Sequence, residues 1–426
     1  MTRNKKIVDK CHNLGLSISY DRVLQITNKI ANSVCDQYRK NDLVCPPSLR
    51  KGLFTVAAAD NIDHNLSSST ANASFHGTGL SLVQFSDASL SDVCDRQLQS
   101  FSEASDSVSD LFLPSYYSDV QPCILPSKLV QVPNVKVELS DSLLRAVCAG
   151  EHKWLERVHT CLDADDSAPV GDMSWAAFHA QSDERNDHEL PISALMPLLH
   201  YSSNTASMMK HTLQVIQKAV SYLHANQVPV IFYDQPLYAL AKQVQWHWPE
   251  IFGKAMFVIM MGGLHVEMAT LRMIGHWLDG SGWVQCLVAS GLCTSGIADS
   301  FIHASSVKRT RYAHPVSAAA LFVCLKRAYN HFCQHSGTQE QKSFEEWRTG
   351  CENESVQFKY WSTVLDLELL VLSFVRSIRT GDFELYTDTL QTLAPWFFAP
   401  DHAHYARWLP VHLRDMLSLQ EQHPQI

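Results

Sequence analysis

The stretch from Asn226 to Met268, NQVPVIFYDQPLYALAKQVQWHWPEIFGKAMFVIMMGGLHVEM, constrains this chain more than any other. Val228 to Tyr233 is an apolar, β-rich run that stops at Asp234. Ala239, Leu240 and Val244 then sit at helical spacing, and Phe257 to Met261 is a second apolar run, stopping at a Gly-Gly pair before His265 and Glu267. Short apolar runs separated by a helix are the pattern of parallel strands buried on both faces and joined by helical crossovers. Open α/β sheets gather ligands at the carboxyl ends of such strands. The stretch therefore predicts strand, helix, strand and helix start, with Asp234, His265 and Glu267 along one sheet edge.

The rest of the chain supplies further elements around that unit. Lys5 to Leu14 and Tyr20 to Tyr38 read as two helices separated by Gly15, with Ser17 or Ser19 as the cap of the second. Helix, turn and helix is the outline of a helix-turn-helix, although two helices and a turn are more often only packing. Leu53 to Ala59 is a short apolar strand that also ends on an acid, Asp60, within DNIDHN. Gly77 and Gly79 lead into a second strand, Leu80 to Phe85, predicted to pair with the first as a hairpin. Residues 86–122 are rich in serine and acids, which predicts an acidic, disordered insertion. Leu129 to Val137, interrupted by Pro133, is expected as an edge strand. Beyond Met268 the pattern is helical almost throughout, and Val307 to His314 (VKRTRYAH) forms a compact basic patch. The predicted organisation is a helical segment over 1–50, an α/β core with a mixed sheet over 51–268, and an all-α block over 269–426.

Composition narrows the functional classes. A net charge of −9 gives no overall field that draws the molecule to nucleic acid, so DNA contact must come from local patches such as Lys308, Arg309 and Arg311. Twelve cysteines without a C-x-x-C pair argue for reduced thiols rather than a disulfide framework or zinc ribbon. The N-terminus lacks the apolar core of a signal peptide, and no apolar run is long enough to span a membrane. A soluble nuclear or cytoplasmic protein, not a secreted one, is the expectation. Phosphate-binding glycine loops and the G-x-S-x-G serine motif are absent from the sequence, so nucleotide hydrolysis and serine-esterase chemistry have no support.

Three acids fall at strand or helix ends: Asp60, Asp234 and Glu267. Carboxylates brought together repel one another unless cations neutralise them, so such a cluster implies Mg²⁺ or Mn²⁺. Two such ions can drive the in-line displacement of a phosphodiester. The motifs Ala59-Asp60-Asn61, Tyr233-Asp234-Gln235 and Gly263-Leu264-His265-Val266-Glu267-Met268, in this order, resemble those of transposon-derived proteins of the ribonuclease H-like DDE class, hAT-like transposases in particular. The resemblance spans Leu53 to Glu267 and, more loosely, the helical remainder. It implies a ribonuclease H-like core with a large helical insertion, and metal-dependent DNA strand cleavage and transfer. Asp60 and Asp234 would be metal ligands, with Glu267 as the third and Asp63 and His265 in support. It also implies DNA as partner and a homo-oligomer as assembly. In the hAT-like layout His265 fills a histidine motif before the helical insertion, and the third acid would lie past Ile426 in a longer chain. Other readings stay open. Asp234 equally suits capping the helix that follows it, and Asp60 or Asp63 suits holding the wide turn. A non-enzymatic, transposon-derived scaffold and a stand-alone metal-dependent nuclease are the alternative functions. His402, His404 and His412 form a weaker zinc set.

Overall fold

The computed structural model describes residues 5–65, 74–85, 112–127, 140–163, 173–181, 190–335, 342–399 and 402–424. The chain starts with helices α1 (Lys5–Asn13) and α2 (Tyr20–Asn41), strands β1 (Thr55–Asn65) and β2 (Ser74–Gln84), and the one-turn helix α3 (Ser115–Ser118). Helices α4 (Asp141–Val147), α5 (Ala149–Asp163) and α6 (Trp175–Gln181) follow. Then come β3 (Ile192–Leu195), α7 (Ala206–Leu223), β4 (Val230–Tyr233), α8 (Gln235–His247), α9 (Pro249–Phe252) and β5 (Val258–Met261). The remainder is helical: α10 (Gly263–Leu278), α11 (Trp283–Ala289), α12 (Ser295–Ile302), α13 (Val307–His335), α14 (Phe344–Glu354), α15 (Val356–Thr380), α16 (Phe383–Leu393), a 3-10 turn (Ala394–Phe398), α17 (Ala403–Leu417) and α18 (Leu419–Gln422).

These elements form two compact units. The first comprises residues 1–130 and 187–260, the second residues 131–186 and 261–426. The boundary differs from the sequence expectation, because α4, α5 and α6 belong with the helical block and not with the sheet.

The first unit is organised around a five-stranded mixed sheet of order β3-β2-β1-β4-β5. The central strand β1 runs antiparallel to β2, from Thr55 opposite Gln84 to Asn65 opposite Ser74. On its other side it runs parallel to β4, from Val56 opposite Val230 to Ala59 opposite Tyr233. Small residues in β1, Ala57 and Ala59, are buried, and β4 is buried along nearly its whole length, as expected for strands covered on both faces. Two buried amides secure the start of β1. The Gln227 side chain accepts from the Thr55 N–H (2.8 Å) and donates to the Thr55 carbonyl (2.5 Å). Gln84 does the same for Arg50, at 2.8 and 2.7 Å. Helix α7 packs on β1 and on α8, which in turn packs on β4.

The expected edge strand at Leu129 to Val137 lies outside the described residues. Two features of this unit depart from the sequence reading. The strand β3, not foreseen, runs antiparallel to β2 through Ser81 opposite Leu195 and Gln84 opposite Ile192. The segment read as acidic and disordered, 86–122, is described from Phe112 onward, and there it is anchored. Tyr117 is fully buried and donates its hydroxyl to the Pro197 carbonyl (2.5 Å), while the Tyr116 hydroxyl accepts the Val44 N–H (2.6 Å). Helices α1 and α2 match their predicted extents closely: Gly15 takes a positive φ of 70° in the turn, and Ser19 caps α2 by accepting the Arg22 N–H.

The second unit is all helical and built around α15. A helix that is apolar on every side must be buried, and the run from Leu367 to Val375 is buried without interruption. It packs against α16, α10, α13, α14 and α5. Ser355 caps its start, and Gly381, at φ 65°, ends it in the left-handed conformation that glycine adopts without strain. Ion pairs tie polar residues of α15 to its neighbours. Glu151 of α5, fully buried, accepts from Arg376 (2.8 and 3.1 Å) and from Ser373 (2.7 Å). Arg348 of α14 donates to Asp366 (2.6 Å) and Glu352 (2.9 Å).

Candidate functional site

Asp60 and Asp234 are brought together at one edge of the sheet. Ala59 and Tyr233 face each other across the parallel β1–β4 pair, so the next residue on each strand is an acid. Asp60 is exposed, and its Oδ1 accepts the N–H of Asn61 (2.8 Å). Asp234 also caps α8: its Oδ1 accepts the Leu237 N–H (3.0 Å), with Pro236 in the first turn. The capping and the strand-end position are thus both realised in one side chain. Asn61, the last residue of the first motif, works structurally. Its Oδ1 accepts from the hydroxyls of Ser202 and Ser203 (3.3 Å each) and from the Ser203 N–H (3.4 Å), fixing the loop between β3 and α7 beside β1, which continues past the predicted end at Ala59 to Asn65. Neither serine carries a motif, and only the fold reveals their part. Asp63 lies further along β1, opposite His76.

Glu267 departs from the expectation. It sits in the first turns of α10 in the second unit, 2% exposed, and both carboxylate oxygens accept from the guanidinium of Arg311 on α13, in a fork-to-fork pair. Two residues read from the sequence as a metal ligand and a DNA contact are therefore each other's partners. Such a bidentate pair engages both oxygens of the carboxylate, neutralises its charge and fixes the plane of the guanidinium. It also holds the Arg311 charge further above its already high range, by that hydrogen bond. His265, in the same helix, is half-buried, and its backbone carbonyl accepts the Tyr405 hydroxyl (3.0 Å). Lys308 and Arg309 are exposed in the first turn of α13, so the basic patch is helical.

A divalent ion of the Mg²⁺ type asks for several anionic or neutral oxygen ligands. The Asp60 and Asp234 pair fits that demand in kind, but the trio with Glu267 does not, because Arg311 occupies both Glu267 oxygens. Among the described residues no group of three or more His, Cys, Asp or Glu side chains is gathered to hold a metal ion. The histidine set does not assemble either: His412 is buried, with its Nε2 against the Tyr386 hydroxyl (2.7 Å). Among the described residues no helix is long and apolar enough to cross a membrane.

Comparison with known proteins returns one family. The model of a domain of unknown function, DUF8702, matches residues 174–340 and 322–426. No curated protein and no solved structure matches the chain. The matched segments run from α6 through α18 and take in β3, β4, β5, Asp234 and the Glu267–Arg311 pair, more than half of the sequence. The chain belongs to the DUF8702 family.

Proposed function

We propose that this protein is transposase-like, built on a ribonuclease H-like core, and that Asp60 and Asp234 are the metal-binding acids of an ancestral DNA strand-cleavage site. One observation carries the reading. In the sheet order β3-β2-β1-β4-β5, with β2 antiparallel to β1 and β4 parallel to it, Asp234 follows the end of β4 and Asp60 is the residue of β1 just past its pairing with β4. The carboxyl end of a parallel strand such as β4 is where α/β sheets gather ligands. In this reading Asp60 and Asp234 hold Mg²⁺ or Mn²⁺, whose chemistry when bound is to activate a water or 3′-hydroxyl and to neutralise the leaving oxygen of a phosphodiester. Glu267 is left out of the ligand set. DNA is the partner, contacted through phosphates by Lys308 and Arg309; the protein is a homo-oligomer, and a nuclear or cytoplasmic location goes with that partner.

A second reading, a transposon-derived protein that binds without cutting, is favoured by the Glu267–Arg311 pair and by the engagement of Asp234 as a helix cap. Calorimetric titration with Mn²⁺ separates the two. Asparagine caps helices as well as aspartate, so Asp234→Asn keeps α8 while removing the charge. Mn²⁺ binding in the parent that disappears in both Asp60→Asn and Asp234→Asn is the expected result. Absence of binding in the parent, with duplex DNA still bound, leaves only the second reading.

A further inference from the structure

The helical unit contains a cavity of about 760 Å³ between α5, the start of α6, the first turns of α13 and the second half of α15. That is within the range of small-molecule sites, roughly 300–1,000 Å³. Its walls are apolar, with Val158, Leu372 and Val375 among them, and three cationic side chains, Lys308, Arg311 and Arg379, also line it. No Asp or Glu lines it. Glu267 holds Arg311 from outside the lining and so sets its orientation. Among the described residues Lys308 and Arg379 have no carboxylate partner. Arg379 lies 5.3 Å over the ring of Trp175. Trp175, on the same wall and 7% exposed, keeps its indole N–H without an acceptor.

These groups share one property: ammonium, guanidinium and indole N–H only donate. Positive side chains in the first turns of α13 also stand at the positive end of that helix dipole, where an anion is favoured and a cation is not. We propose that this cavity binds a small amphipathic anion: an apolar body within the walls and one carboxylate, sulfonate or phosphate at Lys308 and Arg379. A nucleobase fits less well, since its edge carries donors as well as acceptors, and the lining side chains offer only the Ser174 and Tyr312 hydroxyls to accept them.

The test uses the full chain and decanoate as probe, read by displacement of 8-anilinonaphthalene-1-sulfonate fluorescence, with decanol and deoxyadenosine monophosphate as comparisons. Both side chains are exposed, so Lys308→Glu and Arg379→Glu are expected to keep the fold, although the second gives up the contact with Trp175; circular dichroism checks this. Each is expected to weaken decanoate binding about tenfold, the effect of losing a charge-assisted contact. Arg309→Glu, which does not line the cavity, is expected to change it less than twofold while still weakening any duplex DNA binding, so failure of this proposal is distinguishable from failure of the DNA reading. Decanol binding as tightly as decanoate, displacement by the nucleotide in preference to decanoate, indifference to both charge reversals, or no binding at all would overturn it.

Discussion

Asp366 shows how burial and pairing compete within one side chain. It accepts a hydrogen bond from Arg348, yet burial outweighs that attraction and pushes its carboxyl from an ordinary 3.8 up to about 6. A folded-state pKa above the unfolded one means that the protonated form favours the fold. The contribution is therefore fully present below about pH 4 and is lost as pH rises through about 6. A shift of this size in a fully buried group corresponds to about 3 kcal/mol. The side chain keeps 23% of its surface, so solvent reduces the effect to roughly 1–2 kcal/mol. Urea unfolding of the parent and of Asp366→Asn from pH 4 to pH 7 checks this: the stability of the variant relative to the parent should rise across that interval, and a constant difference would refute it. At this scale the sequence was legible only where the neighbours were local. Ser19 and Asp234 could be read as caps because their acceptors serve an N–H three residues on. The Glu267–Arg311 pair spans 44 residues of sequence, and no pattern in either segment distinguishes a buried carboxylate with a guanidinium partner from a metal ligand.

Among the elements, the contact of α10 with α12 is the most exacting. A Cβ at Gly275 would stand 2.0 Å from the backbone carbonyl oxygen of Ile302, and a backbone atom cannot swing aside as a side-chain end can. Gly275→Ala, though favourable for an isolated helix, is expected to lose about 1–3 kcal/mol through overpacking, read as a lower urea midpoint; an unchanged or raised midpoint would show that α12 yields freely. Strand and helix types around Asn226 to Met268 were legible because apolar runs and helical spacing alternate there over a long stretch. β3 was not. Its four residues alternate half-buried and exposed positions, with Leu195 78% exposed, so it carries little of the apolar signal that marks β4. α13 runs through Pro315, although a proline normally reads as a helix boundary.

At the scale of the whole molecule, the family match begins at residue 174 and so omits β1 and β2. A fragment 174–426 would carry β3 without β2, its only neighbour in the sheet order, and β4 without the strand it pairs with in parallel. Open strand edges associate with other chains. The fragment is expected to elute from size exclusion as heterogeneous oligomers while the full chain gives a discrete species; a monodisperse fragment with slowly exchanging amides in β4 would contradict this. The central position of β1 has a second consequence, which concerns time. Thr55 is held by Gln227, 172 residues later in the chain. At about 5–20 residues per second of synthesis, β1 emerges roughly 10–35 s before the side chain that clamps it and the strand that covers its second edge. During that interval the β1 edge of the nascent hairpin stays bare, and the β2 edge does too until β3 is made.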